Sequence, residues 1–111
     1  MHDHVFTANS PLGVTVYCSN DTWYNHIVAG HSPMTDKQTE VKYAIENPLC
    51  VYQSKSHPEN RDVYFAHNLP YDEYTKVVVE NYDTHSEVVS AWGQPEIKGN
   101  IGGLKYVKPK L

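Results

Sequence analysis

The chain is poor in cysteine and in long apolar runs, and each scarcity excludes a class of protein. Among its 111 residues, Cys18 and Cys50 are too few for a disulfide framework, and each lies in an apolar, strand-like stretch. We therefore expect two buried, reduced thiols. No apolar run approaches the roughly 18 residues that a membrane span needs, and the N-terminus lacks a charged-then-apolar signal pattern. The sequence predicts a cytoplasmic protein without membrane contact.

Positive charge is also scarce. Nine Lys and Arg residues stand against 13 Asp and Glu residues, which gives a net charge of -4. Because non-specific nucleic-acid binding depends on many phosphate contacts, this balance argues against a broad basic binding face. It leaves room for an enzyme that holds a few phosphates with local cations. Seven histidines make the net charge sensitive to pH between about 5 and 8.

Helical signals come before most strand signals along the chain. After a short strand at 14–18, the pattern predicts a helix over 21–29. A second helix opens with a capping box at Thr35 and Gln38 and ends before Pro48. Four strand candidates follow, over 49–54, 61–67, 74–82 and 86–92. Their short connections favour antiparallel neighbours.

Together these elements predict one α+β domain, with two N-terminal helices packed on one face of a four-stranded antiparallel sheet. Residues 1–12 are expected to form a flexible lead-in, residues 13–92 the core, and the Gly- and Lys-rich residues 93–111 a loose hairpin or arm. The apolar residues expected to meet between the second helix and the sheet are Val41, Ala44, Ile45, Val77, Val79 and Val88.

The residues from His26 to Trp92 carry motifs of a nuclease family. These motifs are HIVAGHSPM, VKYAIENPLCVYQS, RDVYF, YTKVVV and VVSAW. In them the chain resembles the phage- and prophage-encoded branch of the barnase–EndoU–colicin–RelE-like nucleases. Ser90 and Ala91 stand where that branch usually has Thr-Ala, which keeps the hydroxyl. The resemblance implies a RelE- or barnase-like α+β fold, RNA cleavage without a metal ion or other cofactor, and, for a toxin, an inhibitory antitoxin or immunity protein as partner.

RNA cleavage through the 2′-hydroxyl needs a base, an acid and donors for the charge at phosphorus. His31 is the first candidate for the base or the acid because it follows a helix end, and a solvated loop histidine is the alternative. His26 lies one turn from Trp23 and suits a supporting role or a half-buried structural one. The two histidines have no clear third ligand, so no metal site is predicted.

Three further residues complete the predicted catalytic set. Ser54 ends one strand and Arg61 begins the next, so a hairpin would bring both to one end of the sheet, where Arg61 suits a phosphate. A surface arginine without a role is the alternative. Ser90 shares a face with Trp92, and its hydroxyl needs a partner or borders a pocket. Convergence of this set with His31 would leave catalysis open, whereas dispersal over separate faces would remove the enzyme hypothesis.

Substrate binding is assigned to two tyrosines and a lysine. Tyr52 and Tyr64 could stack on a base, with cross-strand aromatic packing as the alternative. Lys42 lies on the polar side of the second helix, where a solvated lysine is the default. The leading hypothesis is a small phage or mobile-element endoribonuclease acting on RNA, with tRNA as one candidate. The alternative is an inactive nuclease fold serving as a protein–protein interaction module, which the acidic charge and nine tyrosines favour.

Overall fold

A single mixed sheet of seven strands organises the chain. The computed structural model describes residues 4–68 and 72–109. In chain order the strands are β1 (His4–Asn9), β2 (Thr15–Ser19), β3 (Cys50–Ser54), β4 (Arg61–Asn68), β5 (Glu73–Asn81), β6 (Ser86–Gln94) and β7 (Ile101–Val107). Across the sheet they lie in the order β1-β2-β6-β5-β4-β3-β7.

Helical structure lies between β2 and β3. A single turn, α1 (Asn20–Thr22), continues into a π-helix (Trp23–Val28), a 3₁₀ turn follows (Ser32–Met34), and α2 spans Gln38–Glu46. Ser19 caps α1, because its hydroxyl accepts a hydrogen bond from the amide of Thr22 at 3.0 Å. Within the described residues, no helix is long and apolar enough to cross a membrane.

The predicted capping box of α2 is wrong. Thr35 turns back and donates its hydroxyl to the carbonyl oxygen of Ser32 at 2.6 Å, within the preceding 3₁₀ turn. The residue before α2 is instead Lys37, which forms no side-chain cap. The motif matched in spacing, but Pro33 nucleates an extra turn that uses the threonine hydroxyl locally.

The predicted architecture of two helices on a four-stranded antiparallel sheet is wrong. β3 to β6 form an antiparallel meander, but other strands extend it on both sides. β1 and β2 form a hairpin whose second strand runs parallel to β6, with Val16 beside Ser86. On the far side, β7 pairs antiparallel with β3. The described chain is therefore mostly sheet, with two short α-helices.

The added outer strands come from segments expected to be irregular. Residues 4–9 of the expected lead-in form β1, and residues 1–3 lie outside the described part. Residues 101–107 of the expected arm form β7, while residues 110–111 are likewise outside it. An uncovered edge of β3 would present unpaired N–H and C=O groups, which β7 satisfies. Such pairing depends on distant partners, so local sequence gives little sign of it.

The main core lies between the helices and one face of the sheet. The predicted contact between α2 and the sheet is confirmed, since one buried cluster contains Val41, Ala44, Ile45, Val77, Val79 and Val88. A smaller cluster of Cys50, Val63 and Phe65 lies on the other face. Cys18 and Cys50 are buried free thiols, as predicted. Burial raises the pKa of the Cys18 thiol to about 12, which keeps it protonated at neutral pH.

Candidate functional site

A cleft opens where the link between the helices meets one end of β4, β5 and β6. We term it the His31 cleft, and its volume is about 230 Å³. Its described lining residues are His31, Pro33, Met34, Lys37, Glu40, Asn68, Glu73, Thr75, Trp92 and Gly93. Strand register brings three strands together here, because Thr75 pairs with Gly93 and Asn68 with Glu73. An imidazole, an amine and two carboxylates thus share one small volume.

His31 enters the cleft directly after the first helical segment. Its amide donates to the carbonyl oxygen of Ile27 at 2.8 Å, and the residue is exposed. The imidazole stacks on the indole of Trp92, with ring centroids 5.4 Å apart and an interplanar angle of 23°. This contact holds the ring in place while leaving the residue accessible to a ligand.

Trp92 is itself held by neighbouring groups. Its indole N–H donates to Gln94 Oε1 at 2.9 Å, and the ammonium of Lys76 lies 5.0 Å from the ring centroid. Lys76 Nζ also donates to the carbonyl oxygens of Lys98 and Gly99, at 3.0 and 2.7 Å. Burial lowers the pKa of Lys76. Trp92 is therefore a fixed support for His31 and not an open stacking platform.

The carboxylate of Glu73 lies against the backbone of Gly93. A β-carbon added at position 93 would stand 2.8 Å from Glu73 Oε1, so glycine leaves room for the carboxylate. Asn68 Nδ2 makes a long hydrogen bond of 3.5 Å to the same oxygen. These contacts hold an acid at the start of β5, beside the strand end that carries Trp92.

Lys37 and Glu40 enter the cleft from the start of α2. Lys37 Nζ lies 3.7 Å from Glu40 Oε2, at a spacing of three residues along the helix start. A carboxylate in the first turn of a helix is stabilised, because the helix dipole is positive at the N-terminus. An ammonium beside a histidine is suited to stabilising negative charge on a phosphate.

The structure does not bring the predicted catalytic residues together. Arg61 lies at the opposite end of β4 from Asn68, a separation of about 23 Å at the usual rise per residue of a strand. Its Nε donates to Glu80 Oε1 at 2.8 Å. Ser54 is buried, and its hydroxyl accepts hydrogen bonds from the amide of His57 at 3.1 Å and from Asn100 at 3.4 Å. Both side chains therefore stabilise the end of the sheet that lies opposite the His31 cleft.

Two further members of the predicted set also lie outside the lining of the His31 cleft. His26 is exposed on the π-helix, with Nε2 3.7 Å from Asp21 Oδ2. Ser90 is half-buried on β6, opposite Val78 and two residues before Trp92. Of the predicted catalytic residues, His31 alone lines the cleft.

The predicted substrate-binding residues are placed differently from one another. Tyr64 is fully buried, with its hydroxyl 2.6 Å from Ser10 Oγ, and burial raises its pKa to about 12. Tyr52 is half-buried and packs edge-on against Phe65, with ring centroids 6.1 Å apart. Tyr52 therefore takes the aromatic-packing alternative, whereas Tyr64 is a buried core residue that makes a hydrogen bond to Ser10. Lys42 is half-buried on α2, outside the set that defines the His31 cleft.

Sequence reasoning missed most of the residues that accompany His31. No functional role is predicted from the sequence for Lys37, Glu40, Asn68 or Glu73. One signal was available, because antiparallel pairing of 61–67 with 74–82 and then with 86–92 places 68, 73–75 and 92 at one sheet end. The prediction from sequence placed Ser54 and Arg61 together at the opposite end of the sheet instead.

Comparison of the chain with protein-family models, with curated proteins and with solved structures found no match. Among residues 4–68 and 72–109, no group of three or more His, Cys, Asp or Glu side chains is arranged to hold a metal ion.

Proposed function

We propose that this protein is a small metal-independent endoribonuclease whose acid–base groups are those of the His31 cleft. The observation that supports it is the grouping of His31, Lys37 and Glu73 in one cleft, with the imidazole held on Trp92. The resemblance of the His26-to-Trp92 motifs to nucleases supports RNA as the substrate. The dispersal of Ser54, Arg61 and Ser90 removes the enzyme hypothesis that was built on them, so the proposal rests on the residues that line the His31 cleft.

The proposed reaction begins with attack of a ribose 2′-oxygen on the adjacent phosphorus. One member of the pair His31 and Glu73 takes the 2′-hydroxyl proton, and the other gives a proton to the 5′-oxygen as the P–O5′ bond breaks. The new P–O2′ bond closes a 2′,3′-cyclic phosphate, and the second product carries a 5′-hydroxyl. Lys37 offers its ammonium to the non-bridging oxygens, where negative charge builds in the transition state.

The acidic charge of the cleft limits how many phosphates of an RNA substrate can bind there. Glu40 and Glu73 outnumber the single ammonium of Lys37, and the whole chain carries a net charge of -4. Extended contact with many phosphates would therefore be repulsive. We propose that the enzyme recognises a narrow set of RNAs through few phosphate contacts, with tRNA as one candidate.

The test compares wild type, His31→Ala and His26→Ala on total RNA in EDTA. His31→Ala should cut about 10²-fold more slowly, which is the scale of a lost general acid or base. His26→Ala is the matched control, because it also removes an exposed histidine from this region but lies outside the cleft. The products should carry a 2′,3′-cyclic phosphate.

Each other outcome would decide against part of this proposal. Equal cutting by wild type and His31→Ala would remove His31 from the mechanism. Cutting that stops in EDTA would indicate a metal-dependent nuclease. If purified wild type cuts no RNA at all, the nuclease proposal fails.

The second candidate is a protein–protein interaction module without catalytic activity. The structural roles of Ser54, Arg61 and Tyr64 favour it, because these side chains make hydrogen bonds or an ion pair within the fold. The acidic net charge favours it as well. Absence of RNA cleavage by wild type would make this candidate the leading one.

A further inference from the structure

Two further hollows lie beside the His31 cleft along α2. The first, of about 310 Å³, shares Glu40, Asn68 and Thr75 with the cleft. The second, of about 150 Å³, shares Tyr43 and His67 with the first. Neighbouring hollows share lining residues and therefore lie side by side, and we call the row that they form the depression. We term its outer part the α2 groove, which is lined by Thr39, Tyr43, Asn47, His67, Asn68 and Lys108.

We infer that the α2 groove binds a single-stranded segment of RNA next to the bond that the His31 cleft cuts. This inference rests on the proposed function and adds the substrate class, an unpaired strand, together with the residues that hold it. It also explains how a chain with few cations could bind RNA, since bases and not phosphates would supply most contacts.

The length of the depression fits a strand of several nucleotides. It crosses the sheet from Gly93 on β6 to Lys108, whose amide donates to the carbonyl oxygen of Leu49 just before β3. The strands passed are β6, β5, β4, β3 and β7. At about 4.8 Å between neighbouring strands, these cover about 19 Å. Stacked nucleotides repeat about every 3.4 Å along one strand, so the path is longer than a single nucleotide.

The side chains of the groove suit unpaired bases. Tyr43 leaves 50% of its surface exposed on α2 and lines both outer hollows. His67 also lines both hollows, and its ring lies 5.5 Å from that of Tyr74. Aromatic side chains stack on bases of any identity, and Asn68 and Asn47 offer amide groups to base edges.

Charges at the groove favour a single strand over a duplex. Lys108 lies at the far end and Lys37 in the cleft at the other, so a strand could place one phosphate near each. Glu40 borders the middle, where a row of phosphates would be repelled but uncharged bases would not. A duplex keeps its bases stacked and presents two rows of phosphates, which suits this surface poorly.

Binding can be measured apart from cleavage. A fluorescently labelled short oligouridylate is titrated with His31→Ala protein in EDTA, and anisotropy reports the affinity. Adding Tyr43→Ala should weaken binding about tenfold, the scale of one lost stacking contact. Tyr43→Phe keeps the ring and should bind as the parent does. Tyr24→Ala is the matched control, because Tyr24 is 56% exposed on the π-helix and outside the groove.

Salt dependence tests the far end of the groove. Lys108→Gln should reduce the slope of log affinity against log salt by about one phosphate contact. Lys55→Gln is the control, since Lys55 is an exposed lysine just after the other end of β3. Thermal melting of each variant shows that it is folded.

The outcomes separate this inference from the proposed function. Cleavage of RNA by wild type together with equal oligonucleotide binding by Tyr43→Ala and Tyr24→Ala would overturn the groove but not the nuclease. Tyr43-dependent binding without any cleavage by wild type would support the groove and remove the nuclease. If the oligonucleotide does not bind even at low salt, the groove inference is wrong.

Discussion

Substitution of Gly93 by alanine should displace the Glu73 carboxylate without unfolding the protein. The added β-carbon would lie 2.8 Å from Glu73 Oε1, closer than two such atoms can approach. The atom in the way is the far end of a flexible side chain, so the carboxylate can rotate away and leave the cleft. The substitution therefore moves the Glu73 carboxylate by steric repulsion and leaves the carboxylate itself chemically unchanged.

The expected stability change is small because the contributions oppose each other. Alanine is favoured over glycine inside a strand by about 0.5–1 kcal/mol. A forced rotamer of Glu73 costs about 0.5–1.5 kcal/mol, and loss of its long hydrogen bond from Asn68 costs at most about 1 kcal/mol. The free energy of unfolding should thus fall by no more than about 2 kcal/mol. Cleavage should fall by about 10²-fold if Glu73 transfers a proton.

The assay measures RNA cleavage in EDTA and urea unfolding for Gly93→Ala, Glu73→Gln and Gly103→Ala. The first two variants should lose activity to a similar extent. Gly103→Ala is the matched control, because it is also a strand glycine, and its β-carbon would stand an ordinary 3.8 Å from Gln53 Oε1. Full activity of Gly93→Ala would refute a role for the position of Glu73. Loss of several kcal/mol of stability would refute the steric argument.

Two further predictions concern charge and burial. The slope of log RNA affinity against log salt should correspond to about two or three phosphate contacts, and a slope equivalent to roughly six would show a larger cationic surface. Burial raises the pKa of Tyr64 from 10.0 to about 12, so its contribution to stability is complete below pH 10 and is lost as the pH rises toward 12. Between pH 9 and pH 11, urea unfolding should show wild type losing about 1 kcal/mol more stability than Tyr64→Phe. Equal losses would show that the phenol is not desolvated.

The sequence pattern predicted the structure correctly where the interacting residues lie close together along the chain. The stripe of Val41, Ala44 and Ile45 predicted the buried face of α2, because helical period alone decides which side chains share a face. The strand candidates near β3 to β6 were recognisable from alternation and short turns, and these strands do pair as antiparallel neighbours. His31 does follow the end of the first helical segment.

Pairing over long distances was not predictable in the same way. β1 and β7 carry weak strand signals and form because the neighbouring strands offer them free N–H and C=O groups. The parallel pairing of β2 with β6 joins two strands that are separated in sequence by the helices and by β3, β4 and β5. Only the assembled sheet shows which strands would have an unpaired edge without β1 and β7.

The candidate site shows the same division most clearly. The sequence by itself determined that β3 and β4 form a hairpin and that Ser54 and Arg61 lie at its turn. Which end of the sheet becomes a cleft was decided only in the tertiary structure, where the link carrying His31 packs beside Trp92. Register then places Glu73 and Asn68 there, while Arg61 lies about 23 Å away along β4. Spacing along the chain determines which residues can be neighbours on one element, but packing between elements determines which of them share a site.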